Sequence, residues 1–302
     1  MHQADLHNHT TASDGDFSPT NLVQRYAALG MGAIAVTDHD TVAGVREALD
    51  AGLAVGLDVL PGVEVTLRFS EPLFRGSLHL LLYFDAALLD DPGFLELSAA
   101  TFAKGRGDSL VQARLVEINR YFGPAGVEPL LPRELTADDL YGQTDQVSRR
   151  HFAVALKGLG IADRDTISHI IGNDSPAYIP SGMTFEDLAP LLEAYPFVRV
   201  FAHPAAGSFP GDSHYKEVLP PLATVIELLP RFLAIGLDGL EVAYPGHTPE
   251  LEAQVEALRV QLGLPLATGG SDCHDEAQRP PGTDGVGIEV VQAIRALLAA
   301  RG

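Results

Sequence analysis

Short runs of small and β-branched apolar residues, each ending in a cluster of polar residues, alternate along this chain with amphipathic segments. ADLHNHT, AIAVTDHD, LDVLPGVEVT, SLHLLLYF, VRVFAHP, GLDGLEVAYPG and PLATGGSD read as buried strands whose ends carry polar residues. SPTNLVQRYAALG, TVAGVREALDAG, LEAQVEALRVQLG and VVQAIRALLAARG carry the spacing of helices with one apolar face. Ser18 and Pro19 supply a cap and a first-turn proline for the first of these, and Gly30 its stop. Asp40 or Thr41 is the candidate cap of the second. The near-continuous apolar run of SLHLLLYF suits a parallel sheet covered on both faces.

From Pro92 to Tyr178 the alternation lapses. LELSAATFAKGRGDSLVQARLVEINRYFG, Thr136–Leu140, Val147–Leu159 and Ala162–Ile171 read as helices separated by Gly and Pro breaks. The pattern predicts one α/β barrel over residues 1–302, with residues 92–178 as a helical insertion standing beside it.

At 302 residues the chain fits a single α/β barrel. No apolar run is long enough for a membrane span, and the N-terminal segment lacks a signal core. The lone Cys273 cannot form an internal disulfide, so a reducing, cytoplasmic setting is expected. A net charge of −20 disfavours long nucleic acids, whose binding needs basic groups to neutralise phosphates. A small phosphorylated molecule drawn in by local positive charge remains compatible with it. Acidity of this kind is also a common solubility device.

The polar strand ends share one chemistry. His7 and His9 alternate on an extended segment and point to the same side, with Asp5 placed to orient one of them and Asp14 close behind. TDHD sets His39 between Asp38 and Asp40, and GGSDCH sets Asp272 and His274 on alternate positions after two glycines that permit close approach. Glu64 and His79 are expected at the ends of consecutive strands, and His203 lies in FAHP. Each word alone has a bland reading: a cap, a turn or a satisfied histidine. Together, nine imidazoles and carboxylates at strand ends form a donor set for divalent Mn, Zn or Fe. Cys273 would point away between its neighbours. His2, His169 and His214 have no such company and read as exposed or structural. In the insertion, Arg149, Arg150 and His151 form the polar cluster best suited to a phosphate, with Arg106 as a further candidate; His247 is placed to reach the site mouth.

These words, in this order from DLHNHTTASDGDFSP to TGGSDCH, resemble the PHP (polymerase and histidinol phosphatase) superfamily of metal-dependent phosphoesterases. The resemblance implies a distorted (β/α)7 TIM-like barrel with a trinuclear centre. His7, His9, Glu64 and Asp272 would hold a first metal, Asp14, His39 and His274 a second, and Glu64, His79 and His203 a third, with Glu64 shared. SRRHFAVALKGLG and SPAYIP resemble the branch that hydrolyses nucleoside 3′,5′-bisphosphates and short 5′-phosphorylated oligoribonucleotides, although that branch more often has proline where this chain has Arg150. Divalent ions suit phosphate-ester hydrolysis because they activate water and neutralise phosphoryl oxygens. Asp272, His39 and Asp38 are the candidates for direct involvement in catalysis, with Asp38 or His247 to protonate the leaving group. The alternatives are a phosphomonoesterase of another small substrate, such as histidinol phosphate, and a non-catalytic metal-binding module. Retention of all nine ligand positions argues against the module.

Overall fold

The computed structural model describes residues 3–141, 147, 149–211, 215–277 and 279–302. Among these, seven strands form one sheet in sequential order: β1 (Ala4–Asp5), β2 (Ala33–Val36), β3 (Asp58–Ser70), β4 (Arg75–Tyr83), β5 (Val198–Phe201), β6 (Gly239–Ala243) and β7 (Leu266–Gly269). The sheet curls nearly shut. Beyond β1, the Leu6 amide donates to the Gly269 carbonyl at 3.1 Å, and Asn8 pairs in parallel with Cys273. The result is a distorted seven-stranded barrel of the TIM type.

The helices are α1 (Pro19–Ala28), α2 (Val45–Val55), α3 (Pro92–Phe102), α4 (Gly107–Phe122), α5 (Ala137–Tyr141), α6 (Arg149–Gly158), α7 (Arg164–Ile171), α8 (Phe185–Ala194), α9 (Tyr215–Val218), α10 (Leu222–Ala234), α11 (Pro249–Gln261) and α12 (Ile288–Ala299). At the start of α1 the Ser18 side chain accepts from the Asn21 amide, Pro19 fills the first turn, and Gly30 beyond its end takes φ 75°. β2 is buried along its whole length because both of its faces are covered. Ala33 and Ala35 join Leu60, Leu81, Val198 and Leu266 in a cluster that α12 covers with Val291, Ile294 and Leu298. Ile34 and Val36 instead pack with Leu22, Val23 and Tyr26 of α1.

Three expectations change in the structure. β4 runs antiparallel to both β3 and β5, because the chain reverses in a tight turn where Glu71 and Phe74 exchange backbone hydrogen bonds. A strand buried on both faces has the same apolar pattern in either direction. Glu64 and His79 consequently lie inside β3 and β4 rather than at strand ends. The expected cap of α2 is absent as well: Gly44 precedes the helix with no side-chain bond, while Asp40 accepts from the Thr66 amide at 2.8 Å.

Helices α3 to α8 occupy the long connection between β4 and β5. α4 to α7 build a core of their own from residues such as Leu115, Phe122, Leu140, Phe152 and Ile170. α3, which the sequence pattern groups with them, instead sends Phe94 and Phe102 into the main barrel core beside Phe84.

Candidate metal centre and substrate cleft

Glu64 projects from β3 into a ring of histidines. Its Oε2 lies 3.1 Å from His7 Nε2, His9 Nε2 and His39 Nδ1, and its Oε1 lies 3.0 Å from His79 Nδ1 and 3.2 Å from His203 Nε2. Asp272 Oδ1 closes another side, 3.1 Å from His9 Nε2 and 3.5 Å from both His7 Nε2 and His274 Nδ1. At the outer lip the half-exposed Asp14 faces His274 Nε2 at 3.5 Å and His9 Nδ1 at 3.7 Å. Three overlapping donor groups emerge: His7, His9, Glu64 and Asp272; His9, Asp14, His39 and His274; and His39, Glu64 and His79. All nine candidate ligands are therefore brought together. The structure differs in two respects from the sets drawn from sequence: His9 and His39 each face two groups, and His39 rather than His203 completes the group with Glu64 and His79, His203 meeting the cage through Glu64 Oε1.

The backbone is shaped to make this possible. Asp40, His203 and Asp272 have φ of 48°, 34° and 50°, a left-handed conformation that costs about 1–3 kcal/mol at a non-glycine residue and concentrates at functional sites. Gly270 lets the end of β7 pass against His7: a Cβ there would lie 2.5 Å from the His7 backbone nitrogen.

Five buried atoms of this cage have no hydrogen-bond partner: His7 Nε2, both ring nitrogens of His9, His39 Nδ1 and Glu64 Oε2. Buried polar atoms are ordinarily paired, so lone pairs converging without partners fit cations between them. Protons serve poorly here. The rings crowd to 4.1 Å between the His9 and His274 centroids and 4.5 Å between those of His9 and His39. Burial pulls His39 down to about 3. His9, despite its own burial, is pushed up to about 10 by Asp272 and Glu64 beside it. Glu64 is also buried, yet the charges of His7, His79 and His39 hold it well below the carboxylate range. Neighbouring imidazoles are thus driven in opposite directions, as expected of a donor set that cannot satisfy itself with protons. The residues fit divalent metal.

A PHP domain model matches residues 5–105. The 5′-3′ exoribonuclease Rnm of Salmonella typhimurium is 47% identical over 89% of this chain and 84% of its own. The phosphoribosyl 1,2-cyclic phosphate 1,2-diphosphodiesterase of Eggerthella lenta is 30% identical over 92% and 96%. The chain belongs to the PHP family. A 3′,5′-nucleoside bisphosphate phosphatase of Chromobacterium violaceum is 28% identical over 91% of this chain and 88% of its own. Among solved structures, a Bifidobacterium adolescentis protein assigned as a metal-dependent phosphoesterase superposes with a TM-score of 0.66 at 30% identity, covering 97% of this chain and 96% of that one. Membership in the PHP family makes this protein a metal-dependent phosphoric ester hydrolase.

Around the PHP centre the remaining candidates fall out differently. Asp38 is buried and fully engaged, accepting from the Thr10 amide at 2.7 Å, the Thr10 hydroxyl at 2.8 Å and the Ser13 hydroxyl at 2.7 Å. It holds the loop that carries Asp14 and is not placed as a proton donor. His247 does not reach the mouth either: its Nδ1 donates to the Val242 carbonyl and its Nε2 accepts from the Ala205 amide, which pins the loop after β5. Asp5 binds Tyr26, Ser271 and Asn8 rather than a histidine ring.

A cleft of about 1060 Å³ opens between the PHP cage and the helical connection, lined by Asp14, His39 and His79 on one side and Phe102, Arg106, Leu110, Arg114 and His151 on the other. Arg106 also donates to the His39 carbonyl. Arg149 opens α6 close to His151 in sequence; its side chain and that of Arg150, like His2 and His214, lie outside the described residues. His169 faces Glu128 at 3.0 Å on the far helices. Cys273 packs among Phe17, Leu22 and Val36.

Sequence reading overlooked Glu241, Tyr244 and Arg279. Tyr244 and Arg279 both donate to Asp272 Oδ2, at 2.9 and 2.6 Å. Glu241 sits in an apolar strand, and the available signal was a lone acidic residue in GLEVA with no charged neighbour. No helix among the described residues is long and apolar enough to cross a membrane.

Proposed function

We propose that this enzyme removes the 3′-phosphate from nucleoside 3′,5′-bisphosphates and also acts on short 5′-phosphorylated oligoribonucleotides. The observation that carries this reading is the set of five unpartnered atoms in a cage whose Asp14, His39 and His79 line a cleft that is basic and apolar on its opposite wall. His7, His9, Glu64 and Asp272 would hold one divalent ion, Asp14, His39 and His274 a second, and Glu64, His79 and His203 a third, each Mn, Zn or Fe. Bound there, such ions supply an activated water and positive charge for the phosphoryl oxygens.

The chain's own residues decide which ester enters. Leu95 and Leu110 offer an apolar surface for a base, while Arg106 and His151 in the cleft, with Arg149 from the sequence pattern, are the candidates to grip a second phosphate. The cleft is large enough for a nucleotide or a short oligonucleotide. The surrounding charge of −20 disfavours long polyanions. Relatives named for a bisphosphate phosphatase and a 5′-3′ exoribonuclease support the same substrate class. The Eggerthella lenta relative, named for a cyclic phosphodiesterase, supports a second reading in which a phosphoribosyl cyclic phosphate is opened at the same centre. We further take residues 1–302 as one barrel domain with residues 92–178 inserted as the wall over the site, working in the cytoplasm.

The test is a product panel on metal-loaded protein, in which inorganic phosphate is read for adenosine 3′,5′-bisphosphate, AMP and histidinol phosphate, and the ring-opened ester or liberated mononucleotide is read by chromatography for a cyclic ribose phosphate and a 5′-phosphorylated trinucleotide. The bisphosphate should be turned over fastest. Preference for histidinol phosphate or the cyclic ester would replace this assignment within the same reaction class.

A further inference from the structure

We propose that Glu241, fully buried on β6, is a positioning residue that sets two of the proposed metal sites at once. Its two carboxylate oxygens are divided between them. Oε1 accepts from His7 Nδ1 at 3.0 Å, and Oε2 accepts from the backbone amide of His203 at 2.8 Å. The first bond keeps the His7 proton on Nδ1, so that the Nε2 lone pair is presented between Glu64 and Asp272. The second fixes the backbone of a residue held at φ 34°, whose ring Nε2 lies 3.2 Å from Glu64 Oε1 and 3.3 Å from His79 Nδ1. A left-handed histidine followed by Pro204 has little local preference for this conformation, so the amide needs an external acceptor.

The geometry gives Glu241 a symmetrical relation to Glu64. Glu64 lies between the two donor groups on the inside; Glu241 links the ring of His7 to the backbone of His203 from behind. A glutamine at this position keeps the length but replaces one oxygen with an NH2 group. Whichever way it turns, a donor then meets a donor, either at His7 Nδ1 or at the His203 amide. Among the described residues, the Asp14, His39 and His274 group makes no hydrogen bond or ion pair with Glu241 and should be spared.

This inference rests on the metal reading above, and its test separates the two. Metal-free wild type, Glu241→Gln and Asp14→Asn are titrated with Zn²⁺ in a series of buffered chelator concentrations, with bound metal counted by elemental analysis. Relative to wild type, Glu241→Gln should weaken two equivalents about 10- to 100-fold while a third keeps its affinity, and Asp14→Asn should weaken that third one; loss at a single equivalent would overturn the two-site role. The melting temperature of the metal-free variant should stay close to that of metal-free wild type. Wild-type affinity for every equivalent in Glu241→Gln would overturn the role assigned here, and so would a uniform loss that tracks a drop in metal-free melting temperature. Failure of wild type to bind Zn²⁺ would overturn the metal reading itself. A check that needs no variant is the long-range ¹H–¹⁵N spectrum of the Zn²⁺-loaded protein. His7 should carry its proton on Nδ1 and metal on Nε2; the reverse arrangement would overturn the proposal.

Discussion

Stripping the metal should cost this fold a measurable part of its thermal stability, and the size can be set from the cage itself. Five buried atoms on His7, His9, His39 and Glu64 have no hydrogen-bond partner. An unsatisfied buried polar atom costs about 1–3 kcal/mol. Water entering the emptied site recovers part of that, so the low end applies, giving about 5 kcal/mol in all. For 302 residues the unfolding entropy near the midpoint is about 0.6 kcal/mol per degree. The loss therefore corresponds to a fall in Tm of about 8 °C. Scanning calorimetry on metal-loaded protein and on chelator-treated, dialysed protein measures it, with elemental analysis confirming removal and metal re-addition confirming reversibility. A shift below about 2 °C with the metal demonstrably gone would mean that the unpartnered atoms are not the metal's contacts.

Asp272→Asn and His9→Ala should each nearly abolish phosphate release while circular dichroism stays unchanged, whereas His169→Ala, which faces Glu128 on the helical connection, should leave turnover within about twofold. Arg149→Ala should lower kcat/KM for adenosine 3′,5′-bisphosphate by about 30- to 150-fold, the equivalent of about 2–3 kcal/mol for a charge-assisted contact, and affect AMP far less; equal losses on both would remove Arg149 from substrate recognition. Tyr26→Phe takes a hydroxyl out of a buried network with Asp5, Asn8, Ser271 and the Gly282 amide. It should lower Tm by about 2–5 °C in calorimetry.

The cage was largely legible in the sequence because its ligands come in short polar words, most of them just beyond strand ends, where alternation alone places His7 beside His9 and Asp272 beside His274; Glu64 and His79, inside β3 and β4, are the exceptions. The barrel followed from the strand–helix rhythm. What sequence could not settle was direction and partnership. β4 reads the same parallel or antiparallel, since both of its faces are buried, and only the hairpin at Glu71–Phe74 decides it. Asp38 and His247 look like free proton carriers until the loops they hold are seen, because hydrogen bonds to backbone amides and carbonyls leave no mark on residue identity. Glu241 was missed for the converse reason. Its partners, the His7 ring and the His203 amide, lie 234 and 38 residues away along the chain.

The central claim is tested most directly by measuring inorganic phosphate released from adenosine 3′,5′-bisphosphate by the same preparation before chelation, after it, and after re-addition of Mn²⁺ or Zn²⁺. Steady release, its loss on chelation and its return with metal, with AMP accumulating as the other product, are the expected results. Release that persists undiminished in metal-free protein, or no release under any metal condition, would contradict the account.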